Sequence, residues 1–300
     1  LDLADRHGLR VMVGLAWQQH VAFLDDRRTV RDIERRVREG VRSCAGHPAV
    51  LAYAIGNEIP APIVRWHGAR RVERYLHGLC QIVRREDPEA LVTYVNYPPT
   101  EYLDLPFLDL VCFNVYLEKP ERFEAYLARL QNVAGERPLL MTEIGLDSRR
   151  NGLEAQADAL SWQIRTAFAS GAAGVFAFGW TDEWFRGGHD IEDWDFGLTT
   201  SDRSPKLALD AARHSFSEVP YVRDRDWPRV SVVVCSLTGG LDARTVGEVG
   251  HRDVDHVGAV GHRVGDAVDQ VRGERAPAAV GDPHRQDPSA ARPAVDDARD

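Results

Sequence analysis

Lysine is almost missing from these 300 residues: Lys119 and Lys206 stand against 35 arginines. Cysteine is scarce as well, and Cys44, Cys80, Cys112 and Cys235 form no CxxC pair. That spacing gives no support to a disulfide framework or a zinc site, so buried free thiols are expected. No apolar run reaches the roughly 18 residues a membrane helix needs, and the opening LDLADRHG has neither a basic n-region nor an apolar h-region. No membrane span is expected in this chain. Compartment is unassigned, with the cytoplasm slightly favoured because no signal peptide is visible. Positive charge is not in excess, since the net charge is −9, which argues against nucleic acid as a partner. No glycine-rich GxGxxG or GxxxxGK[ST] phosphate loop occurs, and no HxH pair accompanies the isolated His20 and His47. Neither a cofactor nor a metal is therefore expected.

Aromatic residues are absent from one end. All 7 tryptophans, 8 tyrosines and 10 phenylalanines lie at or before Trp227, and isoleucine, lysine and methionine do not occur after Ser236. A low-variety mixture of Val, Asp, Arg, Ala, Gly, Pro and His cannot build an ordinary core. Residues 237–300 are read as a low-complexity tail, either disordered or translated out of frame from GC-rich DNA. Ahead of it lie a globular domain at 1–219, a charged linker at 220–228 and a short apolar strand at 229–236. An Asp253-Val254-Asp255 triplet in the aspartate-rich tail is taken as chance.

Within the first domain, short β-rich runs alternate with amphipathic helices. Strands are expected at 9–17, 49–57, 90–96, 108–116, 137–145 and 173–180, continuously apolar as strands buried on both faces should be. Apolar residues three and four apart mark the helices between them. The sets are Val30, Ile33, Val37, Val41; Val72, Tyr75, Leu76, Leu79, Val83; Phe123, Leu127, Leu130, Val133; and Leu153, Leu160, Ile164, Phe168. Residues 97–106 hold at most a turn of helix. Six βα units fit a doubly wound sheet or most of a (β/α)8 TIM barrel. Polar or aromatic residues close every strand: Trp17, Asn57 with Glu58, Asn96, Asn114 with Tyr116, Glu143 and Trp180. A doubly wound fold concentrates its site at one switch point, whereas a barrel draws functional groups from many strand ends. The α/β barrel is the better reading.

Glu58 and Glu143 carry the chemistry. Either alone reads as an ordinary loop charge. Two carboxylates ending different buried strands, in the contexts GNEIP and MTEIG, match what glycoside hydrolysis with retention needs: a protonated acid and an ionised nucleophile about 5 Å apart. An amide beside one of them, Asn57, can read a sugar hydroxyl as donor and acceptor. A phenol, such as that of Tyr116, favours the ionised form of a carboxylate it bonds. Trp17, His20, Asp182, Glu183, Trp184 and His189 fall on expected mouth loops and are candidates for shaping subsites.

HPAVLAYAIGNEIP (47–60), LLMTEIG (139–145) and GVFAFGWTDEW (174–184) together resemble the clan A (β/α)8 retaining glycoside hydrolases. Within that clan the chain is most similar to the catalytic barrel of family 2, over residues 1–216. The resemblance implies a retaining β-glycosidase, EC 3.2.1 type, that hydrolyses a β-linked oligosaccharide or polysaccharide by double displacement. Glu58 would be acid/base and Glu143 nucleophile. Asn57 would bind the sugar 2-hydroxyl, Tyr116 would hold the nucleophile, and Trp180 would floor the subsite where the bond breaks. Asn114, Trp17 and His20 complete the expected substrate-binding set.

If GNEIP ends strand four, strands three to eight are present, the chain starts within the second helix, and the clan's arginine near the nucleophile lies outside it. Such a chain is expected to be poorly stable and nearly inactive on its own. A second resemblance, of WPRVSVVVCS (227–236) to the opening strand of a family 2 glycosyltransferase domain, sets an alternative: a catalytically weak, glycan-binding module fused to a glycosyltransferase.

Overall fold

A computed structural model describes residues 1–186 and 189–218. The readings made for 220–228, 229–236 and 237–300 lie outside the described residues. Among the described residues six parallel strands run in sequential order, β1 (Val11–Gly14), β2 (Val50–Asn57), β3 (Val92–Asn96), β4 (Val111–Asn114), β5 (Leu139–Ile144) and β6 (Gly174–Ala177), each bonded to the next. They curl as part of a (β/α)8 barrel. Every expected strand is present but shorter than its apolar run, because the flanking residues leave the ladder for the mouth and floor loops.

Among the described residues eight α-helices accompany them: α1 (Asp2–Arg6), α2 (Arg27–Arg42), α3 (Ala61–His67), α4 (Ala69–Glu86), α5 (Pro120–Ala134), α6 (Ser148–Asn151), α7 (Leu153–Ala169) and α8 (Leu207–Ser217). Helix α2 starts where Asp26 accepts hydrogen bonds from the N–H groups of Arg28 (3.0 Å) and Thr29 (2.9 Å), an N-cap that satisfies two orphan donors. Its Ile33, Val37 and Val41 face the sheet. Helix α4 buries Val72, Leu76, Leu79 and Val83 in the same way. Two faces differ from expectation. In α5 the buried residue of the last turn is Ala134, with Val133 turned to solvent, and α7 exposes Leu153 while burying Gln156 and Gln163. These two amides reach main-chain carbonyls, at Gly197 and Leu117, which makes their burial tolerable. A single 3₁₀ turn, Pro98–Thr100, follows β3, and a two-residue hairpin, β7 (Phe185–Arg186) with β8 (His189–Asp190), follows β6.

Strand side chains alternate between two cores. Tyr53, Ile55, Val92, Tyr94, Val111, Phe113, Leu139 and Met141 face the helices, whereas Ala52, Ala54, Val95, Leu110, Cys112 and Leu140 pack inside the curl with Met12 and Phe176. Both layers are apolar, which is why the strands read as unbroken apolar runs. Cys80 and Cys112 are buried free thiols, and Cys44 is partly buried. No helix among the described residues is long and apolar enough to cross a membrane.

Lys206 closes the C-terminal side. Its ammonium group is buried and donates to Asp182 Oδ1 (3.0 Å), Ser148 Oγ (2.8 Å) and the Asp195 carbonyl (3.1 Å), tying the loops after β5 and β6 to the start of α8. Gly197 packs against the main chain of Thr181, Asp182 and Thr199 within the loop after β6, where a Cβ would collide, so only glycine fits. Lys206→Met leaves the Asp182 carboxylate without its counterion. A loss of about 3 kcal/mol is expected, or roughly 10 °C in the unfolding midpoint. A shift below about 2 °C would show that the cluster is open to water.

Candidate active site

The C-terminal ends of β2, β4 and β5 bring five polar side chains together. Main-chain hydrogen bonds fix the end of β2 first. The N–H of Glu58 donates to the Val95 carbonyl (2.9 Å), that of Ile59 to Tyr94 Oη (2.8 Å) and that of Ala61 to Tyr97 Oη (3.1 Å). On the other side the Gln19 carboxamide accepts from the Asn57 N–H (3.1 Å) and donates to the Asn57 carbonyl. These anchors hold Glu58 at a φ of 50°, a left-handed conformation that a non-glycine residue adopts only when its surroundings impose it.

Register sets the direction of both carboxylates. Ala54 pairs with Thr93 and Asn57 with Val95, so β2 spends one residue more than β3 just before Glu58. Likewise Phe113 pairs with Met141 but Asn114 with Glu143, so β5 gains a residue on β4 just before Glu143. Each irregularity acts as a β-bulge, re-aiming the side chain that follows.

Asn114 is the hub. Thr142 Oγ1 donates to its Oδ1 (2.9 Å), which fixes the amide orientation, and its Nδ2 donates to Glu58 Oε1 (2.9 Å) and Asn57 Oδ1 (3.1 Å). The same side chain also helps to hold the Glu143 carboxyl down, so one buried amide acts on both carboxylates. Tyr116 Oη donates to Glu143 Oε2 at 2.6 Å. Burial pushes the Glu143 carboxyl up to about 7; the Tyr116 hydrogen bond pulls it down, the Glu58 charge pushes it further up, and Asn114 opposes that rise. Burial also raises Glu58, against the Asn114 amide and the nearby His20. Tyr116 itself is driven far above the ordinary phenol range by burial and by the Glu143 charge, so its hydroxyl serves as a donor. Among the described residues no lysine or arginine pairs with either glutamate.

Trp17 falls elsewhere than expected. Trp17 is a core residue: its ring lies edge-on to Phe23 (4.9 Å) and Tyr75 (6.3 Å), stands where a Cβ on Gly56 would crowd it, and its N–H donates to the Ile55 carbonyl. Its faces are taken, so it offers none to a sugar. Trp180 is 62% exposed. The ring that meets Tyr116 after β6 is Phe178, with centroids 6.2 Å apart, and Phe196 meets it from a second side at 5.7 Å. Phe178, Trp180, Trp184, Trp194 and Phe196 line a cavity of about 100 Å³. Asp182 is engaged by Lys206, Glu183 pairs with Arg203, and His189 lies exposed on the hairpin. A wider concavity of about 630 Å³, lined by Gln18, Val21, Asp26, Arg28 and Asp32 among others, includes neither glutamate.

Gln19, Thr142 and Phe178 were not singled out from the sequence. Thr142 had a usable signal in its place beside Glu143. Gln19 had none, since it lies in a loop whose path depends on the burial of Trp17.

Alternating parallel strands and helices, with polar groups collected on the C-terminal strand ends, define a barrel protein whose site lies at the mouth. Residues 1–167 match the family of glycosyl hydrolases family 2, TIM barrel domain, and the chain belongs to that family. Among solved structures it is similar to a β-glucuronidase from Bifidobacterium dentium, with a TM-score of 0.60, 20% identity, and coverage of 73% of this chain and 38% of that one. It is also similar to a GH2 β-galacturonidase from Eisenbergiella tayi (0.61, 19%, 73% and 42%). A third similar structure is GH5_18 from Streptomyces cattleya (0.60, 18%, 72% and 64%). The chain spans less than half the length of the first two. Comparison with curated proteins returns no match.

Proposed function

We propose that this barrel is the catalytic unit of a retaining β-glycosidase, with Glu143 as nucleophile and Glu58 as acid/base. The observation that carries the reading is the split of donors: Asn114 donates to Glu58 Oε1 while Tyr116 donates to Glu143 Oε2. Two half-buried acids whose charges raise one another hold one proton between them near neutrality. The additional phenol donor favours the ionised form at Glu143, leaving the proton to Glu58. Glu143 Oε then attacks the anomeric carbon as the glycosidic C–O bond breaks, and Glu58 transfers its proton to the departing oxygen. The resulting glycosyl ester on Glu143 is cleaved when Glu58, now ionised, takes a proton from water whose oxygen attacks the same carbon. Asn57 keeps its amide nitrogen for the sugar. Family membership supports a β-glycoside substrate, and the β-glucuronidase and β-galacturonidase among similar structures make uronides worth testing beside neutral sugars.

The test is covalent trapping. A 2,4-dinitrophenyl 2-deoxy-2-fluoro-β-glycoside has a leaving group that departs without help and a fluorine that slows hydrolysis of the ester. Incubating the chain with gluco, galacto and glucurono forms should add one sugar mass to the peptide containing Glu143. Labelling at any other residue, or no labelling by any form, overturns the assignment.

A further inference from the structure

Strand β1 stops at Gly14, yet the contacts it begins on β2 continue. The Leu15 N–H donates to the Ala54 carbonyl (2.9 Å), the Trp17 indole N–H to the Ile55 carbonyl (2.8 Å), and the Gln19 carboxamide takes both main-chain groups of Asn57. One main-chain N–H and two side chains, at alternate positions, thus replace a strand that has ended. The last rung is the one that matters, because Asn57 is the residue before Glu58. Toward β3 the segment is anchored at Glu58, Ile59 and Ala61; toward β1, Gln19 holds the Asn57 main chain by two hydrogen bonds.

From this arrangement we infer that Gln19 is a positioning residue for the acid/base, a role that rests on the assignment of Glu58 proposed above. Two hydrogen bonds to the N–H and C=O of one residue restrain the peptide planes on both sides of it. Freed of them, the Asn57-Glu58 unit keeps its β3 side and loses the other, and the left-handed Glu58 swings about that hinge. A carboxyl displaced by about an ångström transfers its proton poorly while the nucleophile on β5 stays in place. The signature is therefore selective. Substrates whose leaving group needs a proton suffer, and those whose leaving group departs unaided suffer less.

Gln19→Met keeps the length and apolar stem of the side chain and removes both hydrogen bonds. Gln19→Glu keeps the acceptor for the Asn57 N–H and, when ionised, sets an oxygen against the Asn57 carbonyl. The full chain and its Q19M, Q19E and E58Q variants are compared on phenyl and 2,4-dinitrophenyl β-glycosides, using whichever of the gluco, galacto or glucurono forms the parent cleaves fastest. The dinitrophenolate departs without help, so even a slow catalyst registers. In Q19M, kcat/KM for the phenyl substrate should fall at least tenfold more than for the dinitrophenyl substrate, with E58Q discriminating in the same sense. Q19E should approach the parent as pH falls and its carboxyl regains a proton to donate. Equal losses on both substrates, or none, in Q19M beside a discriminating E58Q would overturn the role of Gln19 alone. An E58Q variant that does not discriminate, or a parent inert toward both substrates, would overturn the acid/base reading on which it rests.

Discussion

Glu143→Gln is expected to lower hydrolysis by at least about a thousandfold and, in the same protein, to raise stability at neutral and alkaline pH. The first effect follows from removing the atom that forms the glycosyl ester. The second follows from burial. In the folded chain the Glu143 carboxyl is pushed from the ordinary 4.5 up to about 7 by burial and by the Glu58 charge, so between these values the pair of glutamates keeps one proton that the unfolded chain has released. Stability of the parent therefore falls as pH rises from about 4.5 through 7, and the loss is complete above 7. The shift sets a ceiling of about 3 kcal/mol, reduced by the coupling to Glu58. Glutamine never ionises and escapes this loss. Thermal unfolding from pH 4 to 8.5 should give nearly coincident midpoints at the acid end and a variant several degrees above the parent at the alkaline end. Midpoints that coincide throughout, or a variant below the parent at pH 8, would show that Glu143 is not strained by ionisation.

Glu58→Gln is expected to divide the two half-reactions. Formation of the glycosyl ester from a dinitrophenyl glycoside needs no acid and should stay within about tenfold of the parent, while a phenyl glycoside should lose roughly 10² to 10⁴. Breakdown of the ester needs a base to activate water, so it becomes the slow step for activated substrates. Azide, a nucleophile that carries no proton, should restore turnover and release a β-glycosyl azide in place of the free sugar. Azide without effect, together with equal losses on the two leaving groups, would remove Glu58 from the acid/base role.

The sheet was legible because strands packed on both faces leave unbroken apolar runs, and the helices because Ile33, Val37 and Val41, or Leu127 and Leu130, repeat on one face. The carboxylates were legible from strand-end position. What escaped depends on pairing between segments distant in sequence. Trp17 ends an apolar run and looks like a mouth aromatic, but a pocket formed by Gly56, Phe23 and Tyr75 buries it. Trp180 follows β6 as expected, yet Phe178 is the ring that turns toward Tyr116, because which of two nearby aromatics points inward depends on the path of the loop rather than on its composition. Lys206 shows nothing in sequence of its burial, since its partners Ser148, Asp182 and Asp195 come from two other loops.

The extra residues on β2 and β5 bear on which genetic changes this barrel can absorb. Swapping one aliphatic side chain for another along these strands alters a contact and leaves the phase of the strand unchanged. Losing a single codon between Ala54 and Asn57, or between Met141 and Glu143, would bring the strand back into step with its neighbours and turn its glutamate toward the helix layer. The sheet would gain regularity and the mouth would lose an acid. In these two short stretches the length of the chain is therefore under tighter constraint than the identity of its apolar residues.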